Sequence, residues 1–321
     1  MRKIISLILA VLLIAALFCG CNNTAVSNKK YSVVTTVFPE FDWTKEILGE
    51  RADDFDLTML IDSGVDLHSF QPTAADMIKI SNCDLFIYIG GESDKWVGDA
   101  LKQANNDKMI ALNLLEVLGD NAKNEETVEG MQAEDEEEEE EEAYDEHVWL
   151  SLKNAAVFCE KIKDALSAID PENADVFAKN CKEYLDKLND LDAQYSECAQ
   201  NAKIKTLLFC DRFPFRYLTA DYGLSYYAAF SGCSAESEAS FETVKFLADK
   251  VNELSLNSVI TLENSDNKIA DTVIKTSGKS DVKILTLDSM QSVTQNDVQN
   301  GVTYLSVMQK NLETLKKALG E

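Results

Sequence analysis

Apolar residues recur along this chain in two alternating patterns: short β-branched runs and longer stretches with helical spacing. Residues 31–38 are dominated by valine and threonine and predict a strand. Residues 40–48 predict a helix that stops at Gly49. A second strand is predicted at 56–61, followed by a loop and then a short helix opened by Thr73, with Pro72 just outside it. Residues 84–89 read as an apolar strand closed by Gly90 and Gly91, before a helix at 93–103 and a strand at 109–112. Further along, an amphipathic helix at 152–169 ends at Asp170 and Pro171, and Pro171 suits the first turn of another helix. That helix runs to about residue 203, with apolar positions at Val176, Phe177, Tyr184, Leu185, Leu188 and Leu191. At ~1.5 Å rise per residue it spans about 45 Å. The remainder repeats the first pattern. Strands are predicted at 206–210, 226–230, 258–262 and 283–287, and helices at 240–254, 268–276 and 296–319. Ser240 is a natural N-cap and Gly278 a natural helix stop. Alternation of this kind predicts an α/β fold: two lobes, each with a mainly parallel sheet flanked by helices, joined by the long helix.

Two segments break the pattern. Residues 125–145 are acidic and nearly free of aliphatics, with nine consecutive acidic residues at 134–142. Such composition cannot bury enough surface to fold, so the segment reads as a disordered insert. At the N-terminus, Arg2 and Lys3 precede an apolar run at 4–18. Its length falls short of the roughly 20 residues a bilayer span needs, which marks an export signal. Gly20 before Cys21 resembles a bacterial lipobox, with Cys21 as the lipidated first residue. The chain thus divides into a signal peptide at 1–20, a lipidated linker at 21–30, an N-terminal lobe at 31–168 that carries the insert, a connecting helix at 169–203 and a C-terminal lobe at 204–321.

A formal charge of −26 excludes nucleic acid as a partner, because phosphate binding needs basic patches. The cysteines beyond the leader (83, 159, 181, 198, 210 and 233) show no CxxC spacing, which excludes a cysteine-rich zinc ribbon. They read mostly as buried thiols.

The chain has two histidines. His68 lies in Gly64-Val65-Asp66-Leu67-His68-Ser69-Phe70-Gln71-Pro72, and His147 in Tyr144-Asp145-Glu146-His147-Val148-Trp149-Leu150-Ser151. Neutral imidazole is the commonest metal ligand at physiological pH. In open α/β sheets, ligands bind outside the carboxyl ends of strands. His68 follows one predicted strand end, and Asp211, Glu263 and Asp288 follow three others. Taken singly, each could cap a helix or hold a loop. Taken together, two imidazoles and one or two carboxylates make a nitrogen/oxygen set suited to Zn²⁺ and also to Mn²⁺.

These stretches resemble the TroA-like family, the zinc- and manganese-binding solute receptors of bacterial ABC importers. The His68 and His147 segments resemble its first two ligand motifs. The stretch Phe213-Pro214-Phe215-Arg216-Tyr217-Leu218, with Asp221-Tyr222-Gly223-Leu224, resembles its third region. Thr286-Leu287-Asp288 resembles the strand that bears its last carboxylate ligand. The motifs occur in order over about residues 31–320. The resemblance implies a rigid long helix between the lobes, a metal bound between them by His68, His147 and Asp288, and delivery to an ABC importer permease. It also implies a monomer anchored by its lipid on the outer face of the cytoplasmic membrane, and no enzymatic activity.

One position departs from the zinc members. Where they carry a third histidine this chain has Arg212, whose guanidinium cannot ligate a metal. Asp211 or Glu263 is then a candidate further ligand, Cys210 is another option, and Arg212 is left to order a carboxylate from behind. The acidic insert occupies the place of the His- and acid-rich loop of zinc members, though it contains no histidine, and its position fits zinc better than manganese. The alternatives are a manganese-uptake receptor, an adhesin on the same scaffold, and a metal-dependent hydrolase. No HExxH, GxSxG or P-loop pattern supports the last.

Overall fold

A computed structural model describes residues 30–132, 143–234 and 238–320. The expected signal peptide, Cys21 with its lipid, nearly all of the linker and the acidic run at 134–142 lie outside these residues. No helix among the described residues is long and apolar enough to cross a membrane.

The N-terminal lobe contains β1 (Tyr31–Thr35), α1 (Phe38–Leu48), β2 (Phe55–Met59), α2 (Ala74–Asn82), β3 (Leu85–Tyr88), α3 (Val97–Lys102), β4 (Ile110–Asn113) and α4 (Leu114–Leu118). Its sheet has the order β2-β1-β3-β4, parallel throughout. Helices α5 (Leu152–Ile169) and α6 (Ala174–Asn201) follow, separated by a 3₁₀ turn at Pro171–Asn173. The C-terminal lobe contains β5 (Thr206–Phe213), α7 (Arg216–Tyr222), β6 (Ser225–Ser231), α8 (Phe241–Glu253), β7 (Ser258–Leu262), α9 (Lys268–Ser277), β8 (Lys283–Leu287), α10 (Gln295–Gln299) and α11 (Tyr304–Leu319). Its sheet repeats the first arrangement as β6-β5-β7-β8, also parallel. Two parallel α/β sheets with a long helix between them are the predicted fold.

Some boundaries differ from expectation for local reasons. The terminal helix predicted at 296–319 is two helices, because Gly301 turns the chain at φ +89° between them. The strand predicted at 206–210 continues to Phe213 through an irregularity between Phe209 and Arg212. Residues 125–132 and 143–145, expected to be part of the insert, are built into the fold. Asn124 bridges to Tyr144, and Glu125 N donates to Ala143 O at 2.8 Å. Gln132 N donates to Ala229 O on β6 at 2.9 Å, while Met131 is buried. Backbone pairing therefore holds residues that composition alone assigns to disorder.

Helix α6 buries Phe177, Cys181, Tyr184, Leu188, Leu191, Tyr195 and Cys198, with Ala199 beside the last. Their spacing alternates between four and three, so they form one stripe along the helix. Near the start of α6, Phe177 meets Phe55 edge-on and Asn180 Nδ2 donates to Ile47 O at 3.0 Å. Near its end, Tyr195 OH donates to Met308 O at 2.6 Å and its ring stacks on Tyr222. One helix thus packs against both lobes. A second seam runs through Trp149, whose Nε1 donates to Ser289 O at 2.9 Å and whose carbonyl accepts from Tyr304 OH at 2.7 Å. Tyr304 N also donates to Asp42 Oδ2 of α1 at 2.8 Å. Residues of both lobes and of α6 belong to a single apolar core.

Glu40 lies wholly buried in the first turn of α1. Its Oε2 accepts from Thr36 N at 2.8 Å, Thr36 Oγ1 at 3.0 Å and Val37 N at 3.2 Å, which caps the helix. Burial, reinforced by the nearby Asp94 charge, pushes its pKa from 4.5 up to about 8. Between these values the folded chain holds a proton that the unfolded chain has lost, so stability falls as pH rises through that window. Glu40→Gln is neutral at every pH. It should flatten the decline in melting temperature between about pH 5 and about pH 8. An unaltered slope in the variant would mean that Glu40 is already ionised in the fold.

Candidate metal centre

Each sheet reverses its direction of growth once. In the first sheet the chain moves from β1 outward to β2 and then returns to β3 on the other side. In the second it does the same from β5 to β6 and β7. Crevices that accept ligands form at such switch points, outside the carboxyl ends of the strands. A cleft of about 710 Å³ lies between the lobes here, lined among others by Asp66, His68, Asp211, Arg212, Cys233 and Glu263.

His68 sits in the 3₁₀ turn Leu67–Ser69 that follows β2. Asp66 caps this turn, its Oδ1 accepting from His68 N at 3.0 Å. The other carboxylate oxygen of Asp66 accepts from Arg212 Nη2 at 2.7 Å, across the cleft. Burial alone would push the Asp66 pKa up, but the Arg212 guanidinium outweighs it and holds the carboxyl below its ordinary range. Arg212 Nη1 also reaches Ser234 O at 3.4 Å. Arg212 therefore fixes the loop that carries His68.

His147 is fully buried just before the 3₁₀ turn Val148–Leu150. Asp145 Oδ1 accepts from its backbone N at 2.9 Å and lies 3.1 Å from its Nδ1. Nδ1 of His68 has similar company, with Ser93 Oγ at 2.8 Å and Glu146 Oε2 at 3.4 Å. Glu146 is itself held by Ser93 N, which donates to its Oε1 at 2.8 Å. Gly91 makes that carboxylate's position possible. At φ +80°, a Cβ there would stand 2.4 Å from Glu146 Oε1.

With the proton of each imidazole on Nδ1, His147 donates to Asp145 and His68 to Ser93 Oγ beside Glu146, and each Nε2 is free to ligate. The two Nε2 atoms face each other at 3.3 Å. In that tautomer the two lone pairs repel unless a cation lies between them. Tetrahedral zinc with bonds of about 2.0–2.1 Å to nitrogen has ligand–ligand edges of about 3.3 Å. The surroundings favour positive charge. Burial works against a charged His147, yet Asp145, Glu146 and Glu125 outweigh it and push its pKa up.

Among the described residues, one group of His, Cys, Asp or Glu donors lies close enough to share a metal ion. It comprises His68, His147 and Cys233, with ligand atoms all within 4.8 Å of one another. The expected oxygen donors do not join it. Asp211 accepts from Arg212 N at 2.9 Å and from Leu262 N at 3.3 Å. Glu263 accepts from Ser289 N at 2.7 Å and Ser289 Oγ at 2.6 Å. Asp288 Oδ1 accepts from Met290 N at 2.8 Å, turned into its own loop. Backbone amides thus orient Asp211, Glu263 and one oxygen of Asp288. Cys210 lines the cleft but is buried and outside the group. All six described cysteines are free thiols.

Sequence reasoning missed Cys233. It stands two residues past the carboxyl end of β6, a position that carried the right signal. The signal was hidden because the cysteine lacks a neighbouring ligand motif and reads like the five structural thiols.

The profile of the family described as zinc-uptake complex component A, periplasmic, matches residues 33–318. The zinc-binding lipoprotein AdcA of Streptococcus pneumoniae (strain ATCC BAA-255 / R6) is 33% identical over 326 residues, covering 98% of this chain and 61% of AdcA. The chain therefore spans less than two thirds of that relative's length. The high-affinity zinc uptake system protein ZnuA of Bacillus subtilis (strain 168) is 32% identical over 317 residues, covering 96% of this chain and 94% of ZnuA. The crystal structure of the Zn(II)-bound ZnuA-like domain of S. pneumoniae AdcA superposes with a TM-score of 0.71 at 31% identity, covering 91% of this chain and 100% of that domain.

Proposed function

The chain belongs to the zinc-uptake complex component A family, and from that premise we propose that it is an exported receptor that captures zinc between its lobes and passes it to the permease of an ABC importer. The observation that carries the reading is the pair of imidazole Nε2 atoms 3.3 Å apart, with His68 lining the cleft and His147 fully buried. His68 and His147 are the ligands. Asp145, Glu146 and Ser93 orient them, and Arg212 holds the His68 loop through Asp66. Outer partners of this kind fix the tautomer and raise ligand basicity. Imidazole nitrogens suit zinc better than manganese, which prefers oxygen donors. The chemistry is capture and release, so the protein is a receptor and not an enzyme.

Lipidation at Cys21 would tether the receptor, as a monomer, beside its permease on the outer face of the cytoplasmic membrane. The acidic run at 134–142 would collect cations weakly for the receptor.

Protein purified without added metal, analysed for its element content and then challenged with competing ions, tests the proposal. About one zinc per chain is expected, resisting a roughly hundredfold excess of manganese, as the order of divalent affinities requires. Displacement by manganese, or substoichiometric zinc after reloading, would overturn it.

A further inference from the structure

We propose that Cys233 is a zinc ligand supplied by the C-terminal lobe, so that the receptor holds its cargo by two imidazoles and one thiolate. The inference rests on the zinc-receptor reading above and deepens it by naming the third donor.

The geometry of the loop after β6 carries the argument. Gly232 lies flat against the His147 ring. A Cβ at that position would stand 3.1 Å from His147 Cε1, 3.2 Å from Nδ1 and 2.9 Å from Phe213 O. Only a residue without a side chain lets the loop pass so close to the imidazole. The next residue is Cys233, whose backbone N donates to Glu125 Oε1 at 2.9 Å. Arg212 Nη1 reaches Ser234 O, one residue further on. Three fixed points therefore set the loop, and they deliver Sγ to within 4.8 Å of both histidine donors. Tetrahedral zinc with one sulfur at about 2.3 Å and nitrogens at about 2.0–2.1 Å has mixed edges of about 3.5 Å, so the shift needed is of side-chain size.

Elimination points the same way. Arg212 cannot coordinate, and Asp211, Glu263 and Asp288 do not belong to the close group of donors. Cys233 is the one C-terminal-lobe donor in the group. On binding, the S–H proton leaves to solvent as the S–Zn bond forms. A thiolate in the set selects zinc and cadmium and disfavours manganese.

Cobalt(II) is the probe, because thiolate ligation gives a sulfur-to-cobalt charge-transfer band absent from nitrogen and oxygen sites. The mature chain loaded with cobalt should show that band together with the visible ligand-field bands. Cys233→Ser should lose the charge-transfer band, keep the ligand-field bands and bind zinc at least about tenfold more weakly. X-ray absorption at the zinc edge of the unaltered protein gives a second reading that needs no variant, with one sulfur at about 2.3 Å expected. Cobalt ligand-field bands without a charge-transfer band, or a zinc shell without sulfur, would overturn the thiolate while leaving the two-histidine receptor standing. Failure of the unaltered chain to bind either metal would overturn the receptor reading, and this inference with it.

Discussion

Replacing His68 and His147 together by alanine should abolish tight zinc binding while leaving the fold intact. The two rings supply both nitrogen donors of the site, and the chain has no other histidine to take their place. Loss of an outer-shell partner typically costs 10–100-fold in metal affinity, so loss of a ligand should exceed about 100-fold. His147 should be the more damaging single change. It is fully buried and fixed by two contacts to Asp145, whereas the side chain of His68 retains 14% of its exposure. Removing a buried ring also opens a cavity beside Trp149, so His147→Gln is the safer companion variant. Isothermal titration with zinc, alongside circular dichroism, reads both effects. Wild-type affinity in the folded double variant would show that the metal sits elsewhere.

Zinc should stabilise the protein strongly and change its shape little. A ligand that binds the folded state alone adds about 2.7 kcal/mol at a hundredfold excess over its dissociation constant. The two Nε2 atoms already stand at the separation of a tetrahedral edge, so little rearrangement is needed to close the histidine half of the site. Large hinge motion is opposed by α6, which packs on both lobes, and by the seam through Trp149, Tyr304 and Asp42. The melting temperature should therefore rise with zinc while the radius of gyration from small-angle scattering stays constant. A contraction of several per cent on loading would defeat the rigid reading.

The sequence made the architecture legible because each strand is a short apolar run bounded by glycine or a polar cluster, and each major helix carries one apolar stripe. It failed where a single residue decides the outcome, as at Gly301, or where pairing partners lie far apart, as at Asn124 and Tyr144. Within the site, the histidines stood out because they are the only two and lie in ligand-like stretches. The carboxylates at strand ends were equally visible, but strand ends are also where backbone amides seek acceptors. Sequence cannot say which demand wins at Glu263 or Asp288. Cys233 depends on a close approach between Gly232 and a ring 85 positions earlier, information that exists only once the chain has folded.

The shared apolar core has a bearing on how the chain can be divided. From Tyr31 onward it forms one compact unit, although it contains two sheets that each look complete. Trp149 and Tyr304 draw their contacts from both halves and lose them if the halves part. Neither sheet with its helices is an independent folding unit, and neither could be transplanted alone as a metal-binding module. Duplicated topology here is a matter of layout; autonomy belongs to the whole.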